Sequence, residues 1–323
     1  MGKNIVICCD GTCNQFGSVN TNVVRLFQSV ERRSADQVAF YDPGVGTFAA
    51  RFFSFNVGKF LGKALGAAFG YGVKANMEAC YRYLMDTYED GDRVFLFGFS
   101  RGAFTARSLA AMLDKCGLLH PGHQNLIPYM SRQYFRDKPA QEVAHFKQTF
   151  CRECTPYFVG VWDTVGALGV LKAMRQFANN SLNPKVRYAF HAMSIDEKRS
   201  KLMVTPWDEN TVGSGQTLEQ VWFAGVHCDV GGGYADHRLA DIPFRWMADK
   251  ARSCGLRFLD DTVDDVQGDP LGKLHVSYTW KWKVLGSRQR HIPRDARIAP
   301  SVWTRVDEDP SYRPPNLPPR EGN

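Results

Sequence analysis

The sequence has no run of about 20 apolar residues, which is the length that a helix needs to cross a membrane. The nearest stretch, FLGKALGAAFGYGV, is shorter, rich in glycine and interrupted by Lys63. A strand-like segment begins at Asn4, with no signal peptide before it. We therefore expect a cytoplasmic protein without a transmembrane helix.

A disulfide framework is also missing. The nine cysteines are odd in number and irregular in spacing, and several lie in apolar runs, where a free cysteine behaves as a small hydrophobic residue. The pair Cys151-x-x-Cys154 has no second pair to complete a zinc site. These features favour folding in a reducing compartment, and we expect neither a bound metal nor a cofactor.

The sequence contains no long lysine or arginine run and no nucleic-acid-binding motif. Its net charge of +7 is modest for 323 residues, so we expect no nucleic-acid partner. The positive balance would favour peripheral contact with an anionic membrane. With 44% hydrophobic and 23% charged residues, the chain is predicted to bury a core rather than to be disordered.

No internal repeat is present; instead, short apolar segments alternate with segments of helical periodicity. Five strands are predicted at NIVICCD, QVAFYDPGVGT, DRVFLFGFS, PYFVGVWDTVGA and TLEQVWFAGVHCDVGGGY. Continuous apolar strands that alternate with helices indicate a mostly parallel sheet with helices on both faces. The predicted fold class is α/β.

We predict a catalytic domain over residues 1–260 and a C-terminal extension over 261–323, which ends in the proline-rich tail PPNLPPREGN. Residues 51–72 form an insertion rich in glycine and phenylalanine. This insertion is either a mobile apolar lid with basic residues toward a lipid surface or ordinary buried packing around glycine turns.

The segment Gly98-x-Ser100-x-Gly102 matches the nucleophile elbow, in which a serine lies on a sharp turn between a strand and a helix. Small residues two positions before and after the serine let the strand and helix approach closely. An apolar strand precedes the turn and a helix with small residues follows it, as the elbow requires. We predict that Ser100 is a nucleophile; the alternative is a structural turn serine or a phosphate-binding loop.

A nucleophilic serine needs a base and an orienting acid. In α/β-hydrolases the three residues follow one another in the sequence in the order Ser, acid, His. Asp163 and His227 each come at the carboxyl end of a later predicted strand, where sites in parallel sheets gather. We predict that Asp163 is the acid and His227 the base. Asp163 could instead cap a helix or turn, His227 could be structural, and His237 is the rival base.

An oxyanion hole requires two N–H donors aimed at the developing charge. The backbone N–H of Arg101 is one candidate, and Gly11 or Thr12 at the end of the first strand supplies the other. Asp10 and Asp229 could together hold a divalent cation, although we favour a role for Asp10 in bonding turn amides.

The segments CCDGTCN, YDPGVGT, GDRVFLFGFSRGAFTARSLA, VGVWDTVGA and VWFAGVHCDVGGGYADHRLADIPFRWM run in order from about residue 4 to 250. In combination they resemble the uncharacterised α/β-hydrolase domain family that includes the bacterial type VI secretion phospholipase effectors, the first lipase-effector family. The resemblance implies an α/β-hydrolase fold and a catalytic triad of Ser100, Asp163 and His227. It also implies export by type VI secretion and a secretion-system or immunity partner.

We therefore expect a serine esterase or lipase that hydrolyses acyl esters of phospholipid type through an acyl-enzyme. Three alternatives stay open at this point. The substrate could be a soluble ester, thioester or amide. The chain could be a non-catalytic binding module on a hydrolase fold, or a metal-dependent phosphohydrolase that uses Asp10, Asp229 and a histidine.

Overall fold

The computed structural model describes residues 2–11, 17–44, 61–135, 139–166, 181–278 and 286–320. Its strands are β1 (Asn4–Cys9), β2 (Arg33–Ser34), β3 (Gln37–Asp42), β4 (Arg93–Phe99), β5 (Leu118–Leu119), β6 (Cys151–Arg152), β7 (Pro156–Trp162), β8 (Tyr188–Ser194), β9 (Thr217–Phe223) and β10 (Arg297–Ile298). Its α-helices are α1 (Asn22–Ser29), α2 (Leu61–Thr87), α3 (Arg101–Cys116), α4 (Ile127–Phe135), α5 (Ala140–Phe150), α6 (His227–Gly231), α7 (Arg238–Ser253) and α8 (Pro300–Glu308).

Eight of these strands form one sheet in the order β10-β9-β8-β7-β4-β1-β3-β2. Every neighbouring pair is parallel except β2 with β3 at the edge, while β5 and β6 form a separate antiparallel pair. All carboxyl ends of the parallel strands therefore meet at one edge of the sheet. The predicted α/β fold with a mostly parallel sheet is confirmed.

Helices cover both faces of the sheet, as the buried side chains of β1 illustrate. Ile5 and Ile7 pack in a cluster with residues of α2, α3, α4 and α5. Val6 and Cys8, which point to the opposite face because strand side chains alternate, pack with residues of α1, α7 and α8. Burial on both faces explains why these strands read as continuous apolar runs in the sequence.

Three strands of the main sheet, β2, β8 and β10, were not predicted from the sequence, and β8 lies between β7 and β9 in the middle of the sheet. Its sequence YAFHAMS carries His191 and Ser194, both fully buried. These two polar side chains weaken the apolar signal of the run. The prediction of five strands was therefore too low. The missing strand β8 lies between β7, which precedes Asp163, and β9, which precedes His227.

Residues of the predicted C-terminal extension contribute to the main sheet and its core. β10 pairs with β9 in parallel, and α8 buries Val302 fully. Near the tail, Asn316 donates hydrogen bonds to the carbonyls of Ile195 and Arg290, both at 3.1 Å. The domain boundary near residue 260 stays a prediction.

The predicted insertion at 51–72 lies largely outside the described residues. Residues 51–60 are not described, and residues from 61 onward belong to α2, whose side chains are described only from residue 72. Within the described ranges, no helix combines the length and the apolar character that a bilayer crossing requires.

Candidate active site

Ser100 occupies a sharp turn between β4 and α3. Its backbone lies in a strained region, with φ 59° and ψ −118°, which non-glycine residues adopt only when the surroundings enforce it. A Cβ atom on Gly98 would overlap the backbone of Gly102 and Ala103, and one on Gly102 would overlap the carbonyl of Cys9. The two glycines of the motif are thus explained by close approach of backbones on both sides of the serine.

Ser100, His227 and Asp163 form one chain of hydrogen bonds at the carboxyl edge of the sheet. The Ser100 hydroxyl donates to Nε2 of His227 at 2.8 Å, and Nδ1–H of His227 donates to Oδ2 of Asp163 at 2.5 Å. All three residues are buried. Because Nδ1 carries the proton that Asp163 accepts, Nε2 is left as the acceptor that faces the serine oxygen.

Three different strands deliver these side chains. Ser100 follows β4, Asp163 directly follows β7, and His227 begins α6, four residues after the end of β9. The strands are parallel, so their carboxyl ends bring together residues that are 64 and 127 positions apart in sequence. The structure thus joins the three residues that the sequence analysis singled out.

The Asp163 carboxylate is held from several directions. Its Oδ1 accepts the backbone N–H of Ser194 at 2.9 Å and Nη1–H of Arg290 at 2.5 Å, while Oδ2 accepts Nη2–H of Arg290 at 2.9 Å as well as the His227 proton. Its own backbone N–H donates to the Ala192 carbonyl at 2.7 Å, and its φ is 41°. This network fixes the direction in which the carboxylate faces the imidazole.

Opposing effects act on the pKa of Asp163. Complete burial would raise it, but the Arg290 guanidinium and the hydrogen bonds from His227 and Arg290 outweigh burial and hold the pKa well below its usual range. The carboxyl group is therefore ionised throughout the neutral pH range.

A second carboxylate, Glu197, lies beneath the backbone of His227. Its Oε2 accepts the His227 N–H at 3.3 Å and the Ser277 hydroxyl at 3.1 Å, and it pairs with Arg199 at 2.8 Å. The Phe99 ring packs against the imidazole, with ring centroids 4.6 Å apart. Together these contacts fix the position of α6 and the plane of the imidazole.

His191 on β8 secures the loop that carries Asp163. Its Nε2 accepts the backbone N–H of Thr164 at 3.1 Å, and its Nδ1–H donates to Gln220 at 3.4 Å. Burial, assisted by the charge of Arg107, lowers the pKa of His191 to about 3, so its imidazole is neutral. A neutral ring is what an acceptor for the Thr164 amide requires.

The rival base His237 has a different partner. Its Nδ1–H donates to Asp241 at 2.8 Å within the first turn of α7, and about half of its side chain is exposed. Asp241 also pairs with Arg25 at 2.5 Å. The chain thus contains a second arrangement of Arg25, Asp241 and His237, and among the described residues no serine hydroxyl bonds to His237 as Ser100 does to His227.

Asp10 and Asp229, the proposed cation ligands, each belong to a hydrogen-bond network of their own. Asp10 accepts the hydroxyls of Thr21 at 2.9 Å and Tyr41 at 2.8 Å. Asp229 accepts Nδ1–H of His275 at 2.6 Å, although burial still raises its pKa. In the part of the chain that the structure describes, no three histidine, cysteine, aspartate or glutamate side chains group as a metal site.

The candidate oxyanion donors lie at the elbow and at the end of β1. Arg101 is the first residue of α3, directly after Ser100. Gly102 packs against the backbone of Cys9 and Asp10, which brings the end of β1 beside the elbow. The N–H of Gly11 donates to Oδ1 of Asp10 at 2.7 Å, and Thr12 lies outside the described residues.

A comparison with protein families matches residues 3–250 to the model described as "T6SS, Phospholipase effector Tle1-like, catalytic domain". The chain belongs to this family. The match confirms the resemblance drawn from the sequence segments, and it covers the strands that carry Ser100, Asp163 and His227.

The Tle1-like catalytic domain has relatives of greater length. The uncharacterized protein YEL023C of Saccharomyces cerevisiae is 33% identical over 221 residues, which are 62% of this chain and 32% of the yeast protein. An uncharacterized protein from Pseudomonas aeruginosa aligns in structure with a TM-score of 0.49 and 16% identity, over 83% of this chain and 49% of that one. The Tle1 effector bound to the VgrG spike of the type 6 secretion system aligns with a TM-score of 0.36 and 16% identity, over 72% and 51%. The chain thus spans about a third of the yeast relative and about half of the two solved chains.

Arg290 lies beyond the part of this Tle1-like chain that the family model matches, and the sequence analysis missed it. It stands among several arginines in SRQRHIPRDAR, and no local pattern distinguishes it from its neighbours. Only the fold, which carries the C-terminal residues back to the sheet edge, brings its guanidinium to Asp163. The residue is 1% exposed.

Proposed function

We propose that this protein is a serine esterase that hydrolyses acyl esters of phospholipid type through an acyl-enzyme. The observation that carries the proposal is the hydrogen-bonded chain from Ser100 through His227 to Asp163, built on a strained strand-to-helix turn. Membership in a phospholipase effector family supports the choice of a lipid substrate.

In the proposed mechanism, His227 Nε2 takes the hydroxyl proton as Ser100 Oγ attacks the ester carbonyl. Asp163 holds the Nδ1–H tautomer and stabilises the imidazolium that forms. The tetrahedral intermediate then collapses, and His227 returns the proton to the departing alcohol. Water, activated by the same imidazole, hydrolyses the acyl-enzyme and regenerates Ser100.

The negative charge of the tetrahedral intermediate needs fixed donors. We assign the first to the backbone N–H of Arg101, because it follows the nucleophile at the N-terminus of a 16-residue helix. The N–H of Gly11 already serves the Asp10 carboxylate. For the second donor, Gly11 or Thr12 stays the prediction from the sequence.

Fluorophosphonate labelling tests the nucleophile and its base. We expect the purified protein to form one adduct, mapped by peptide mass spectrometry to Ser100, and the adduct to disappear in Ser100→Ala. In His227→Ala the labelling rate should fall by about a thousandfold or more, because the hydroxyl loses its proton acceptor. His237→Ala is the matched control and should label at the wild-type rate.

Two results would contradict these assignments. Adduct formation that survives in Ser100→Ala would reject the nucleophile. Labelling that persists in His227→Ala and is lost in His237→Ala would transfer the base to His237. A folded wild-type protein that never reacts would favour a non-catalytic binding module.

The substrate class is tested by comparing turnover on vesicles with turnover on soluble esters. For a lipid hydrolase we expect kcat/KM on phospholipid vesicles to exceed that on short soluble esters by about tenfold or more, because binding energy from remote acyl chains is used in the transition state. Release of fatty acid is followed by titration at constant pH. Equal or higher turnover of soluble esters, thioesters or amides would indicate that the substrate is a soluble molecule and not a membrane lipid. Loss of activity in a chelator, restored by a divalent ion, would instead support a metal-dependent phosphohydrolase.

The effector family also supports delivery by a type VI secretion system as part of this proposal. A secretion-system or immunity partner, and peripheral contact with an anionic membrane, stay predictions. Vesicle co-sedimentation with and without anionic lipid, at low and high salt, measures the membrane contact directly.

A further inference from the structure

The carboxylate that faces His227 is shared with a buried cation. Nη1 and Nη2 of Arg290 each donate to a different oxygen of Asp163, in the two-pronged geometry that makes arginine–carboxylate pairs strong. Arg290 also donates to the Ser194 carbonyl at 2.9 Å, to the Ser194 hydroxyl at 2.8 Å and to the Leu202 carbonyl at 2.6 Å. Five hydrogen bonds and complete burial make this guanidinium a fixed part of the site.

This arrangement differs in charge from a serine triad whose carboxylate has only neutral donors behind it. There, an unpaired negative charge attracts the imidazolium that forms when the histidine accepts a proton. Here, Arg290 compensates the charge of Asp163 before the proton moves, and the imidazolium would form with a second cation on the far side of the carboxylate. The protonated form of His227 therefore gains less stabilisation than Asp163 alone would give it.

Several other ionisable groups lie around His227. They include Asp163, Arg290, Glu197, Arg199, Cys228, Asp229 and His275, together with Arg101 directly after Ser100 and His191 on β8. Glu197 pairs with Arg199, and Asp229 with His275. Among these pairs, only that of Asp163 and Arg290 contains the carboxylate that the imidazole contacts.

Resting on the function proposed above, we propose that Arg290 is a positioning residue that holds the Asp163 carboxylate toward His227 and moves the pH range of activity downward. The guanidinium offsets part of the carboxylate charge that favours an imidazolium, so activity should extend to a lower pH than it would without Arg290. The residue comes from a segment that the family match does not reach, so the pH range of this site is set by the C-terminal part of the chain.

Two variants separate charge from geometry. Arg290→Gln removes the charge and retains a donor for Asp163, whereas Arg290→Lys retains the charge and loses the two-pronged contact. We measure kcat/KM for a soluble ester from about pH 5 to 9 and locate the acid limb of the profile. For Arg290→Gln we expect the acid limb to rise by about one to two pH units, the usual effect of one neighbouring charge. For Arg290→Lys we expect a lower kcat with the limb within about half a unit of the wild type.

The second Arg–Asp–His arrangement supplies a matched control. Arg25→Gln removes the guanidinium that pairs with Asp241 beside His237, and it should leave the acid limb in place. Each variant is checked for folding by near-ultraviolet circular dichroism.

An unmoved acid limb in folded Arg290→Gln would overturn the inference. Should Arg290→Gln fail to fold, an acid limb that moves by a full unit or more in Arg290→Lys would overturn it, because the charge is retained there. A wild-type protein that hydrolyses no ester and forms no fluorophosphonate adduct would reject the proposed function. Wild-type activity with no shift in the variants would reject only the role of Arg290.

Discussion

Replacing Ser100 by alanine is expected to lower kcat for ester hydrolysis by about four to six orders of magnitude, and His227→Ala should have an effect of similar size. Both residues take part in one proton transfer: the hydroxyl donates to Nε2 at 2.8 Å, so removing either atom removes the same step. We therefore expect the double variant to be no slower than the worse single variant. Turnover is measured by release of fatty acid from vesicles and of alcohol from a soluble ester.

The controls for this experiment lie in the same protein. His237→Ala removes a histidine that also donates to an aspartate, and it should stay within about twofold of wild-type kcat. Multiplicative losses in the double variant would indicate that Ser100 and His227 act in separate steps. Retention of more than about a tenth of the activity in Ser100→Ala would reject the acyl-enzyme.

Asp163→Asn is expected to lower kcat by about ten-thousandfold and also to destabilise the fold. An amide in place of the carboxylate can present N–H to Nδ1, which favours the imidazole tautomer with its proton on the wrong nitrogen. It also leaves the buried Arg290 guanidinium without its counter-charge, and breaking a buried ion pair in this way costs about 3–5 kcal/mol. Urea unfolding, read at a fixed pH near 7, gives the loss of stability separately from the loss of turnover.

The pH dependence of stability provides a second readout of Asp163. Its pKa in the folded state is depressed below the unfolded value, so its ionised form stabilises the wild-type protein above the unfolded pKa of about 3.9. This contribution is lost as the pH falls from that value toward the depressed folded-state pKa. Asp163→Asn should therefore lose less stability than the wild type on acidification through that range.

Asp241→Asn is the matched control for Asp163→Asn. Asp241 is likewise a buried carboxylate between an arginine, Arg25, and a histidine, His237. We expect this variant to lose stability but to retain kcat within about twofold. A comparable loss of turnover in both variants would mean that the effect of Asp163→Asn comes from general destabilisation.

The elbow and its partners could be anticipated because each leaves a local signal. Gly98 and Gly102 are required by backbone approach within five residues, and a strand that ends in an apolar run precedes Ser100, Asp163 and His227 in turn. Parallel topology then implies that strand ends converge at one edge, so local patterns sufficed to select residues that are far apart in sequence.

Other parts of the site leave no such signal. β8 was not predicted because buried His191 and Ser194 interrupt its apolar run, and both accept hydrogen bonds from residues outside the strand, the Thr164 N–H and the Arg290 guanidinium. Arg290 was missed because its partner lies 127 residues away and its local sequence is irregular. Periodicity reports which face of an element is buried, but it carries no information on which distant polar groups pair inside the core.

The dependence of Asp163 on Arg290 has a consequence for the order in which the protein matures. Synthesis produces the residues of β4, β7 and β9 well before residue 290, so a nascent chain contains Ser100, Asp163 and His227 while the counter-charge of the carboxylate is still unmade. Until the C-terminal residues dock, closing the sheet edge would bury the Asp163 carboxylate without the Arg290 guanidinium, which opposes folding. A chain that ends before residue 290 therefore retains every residue of the elbow but lacks the guanidinium that offsets the burial of the Asp163 charge.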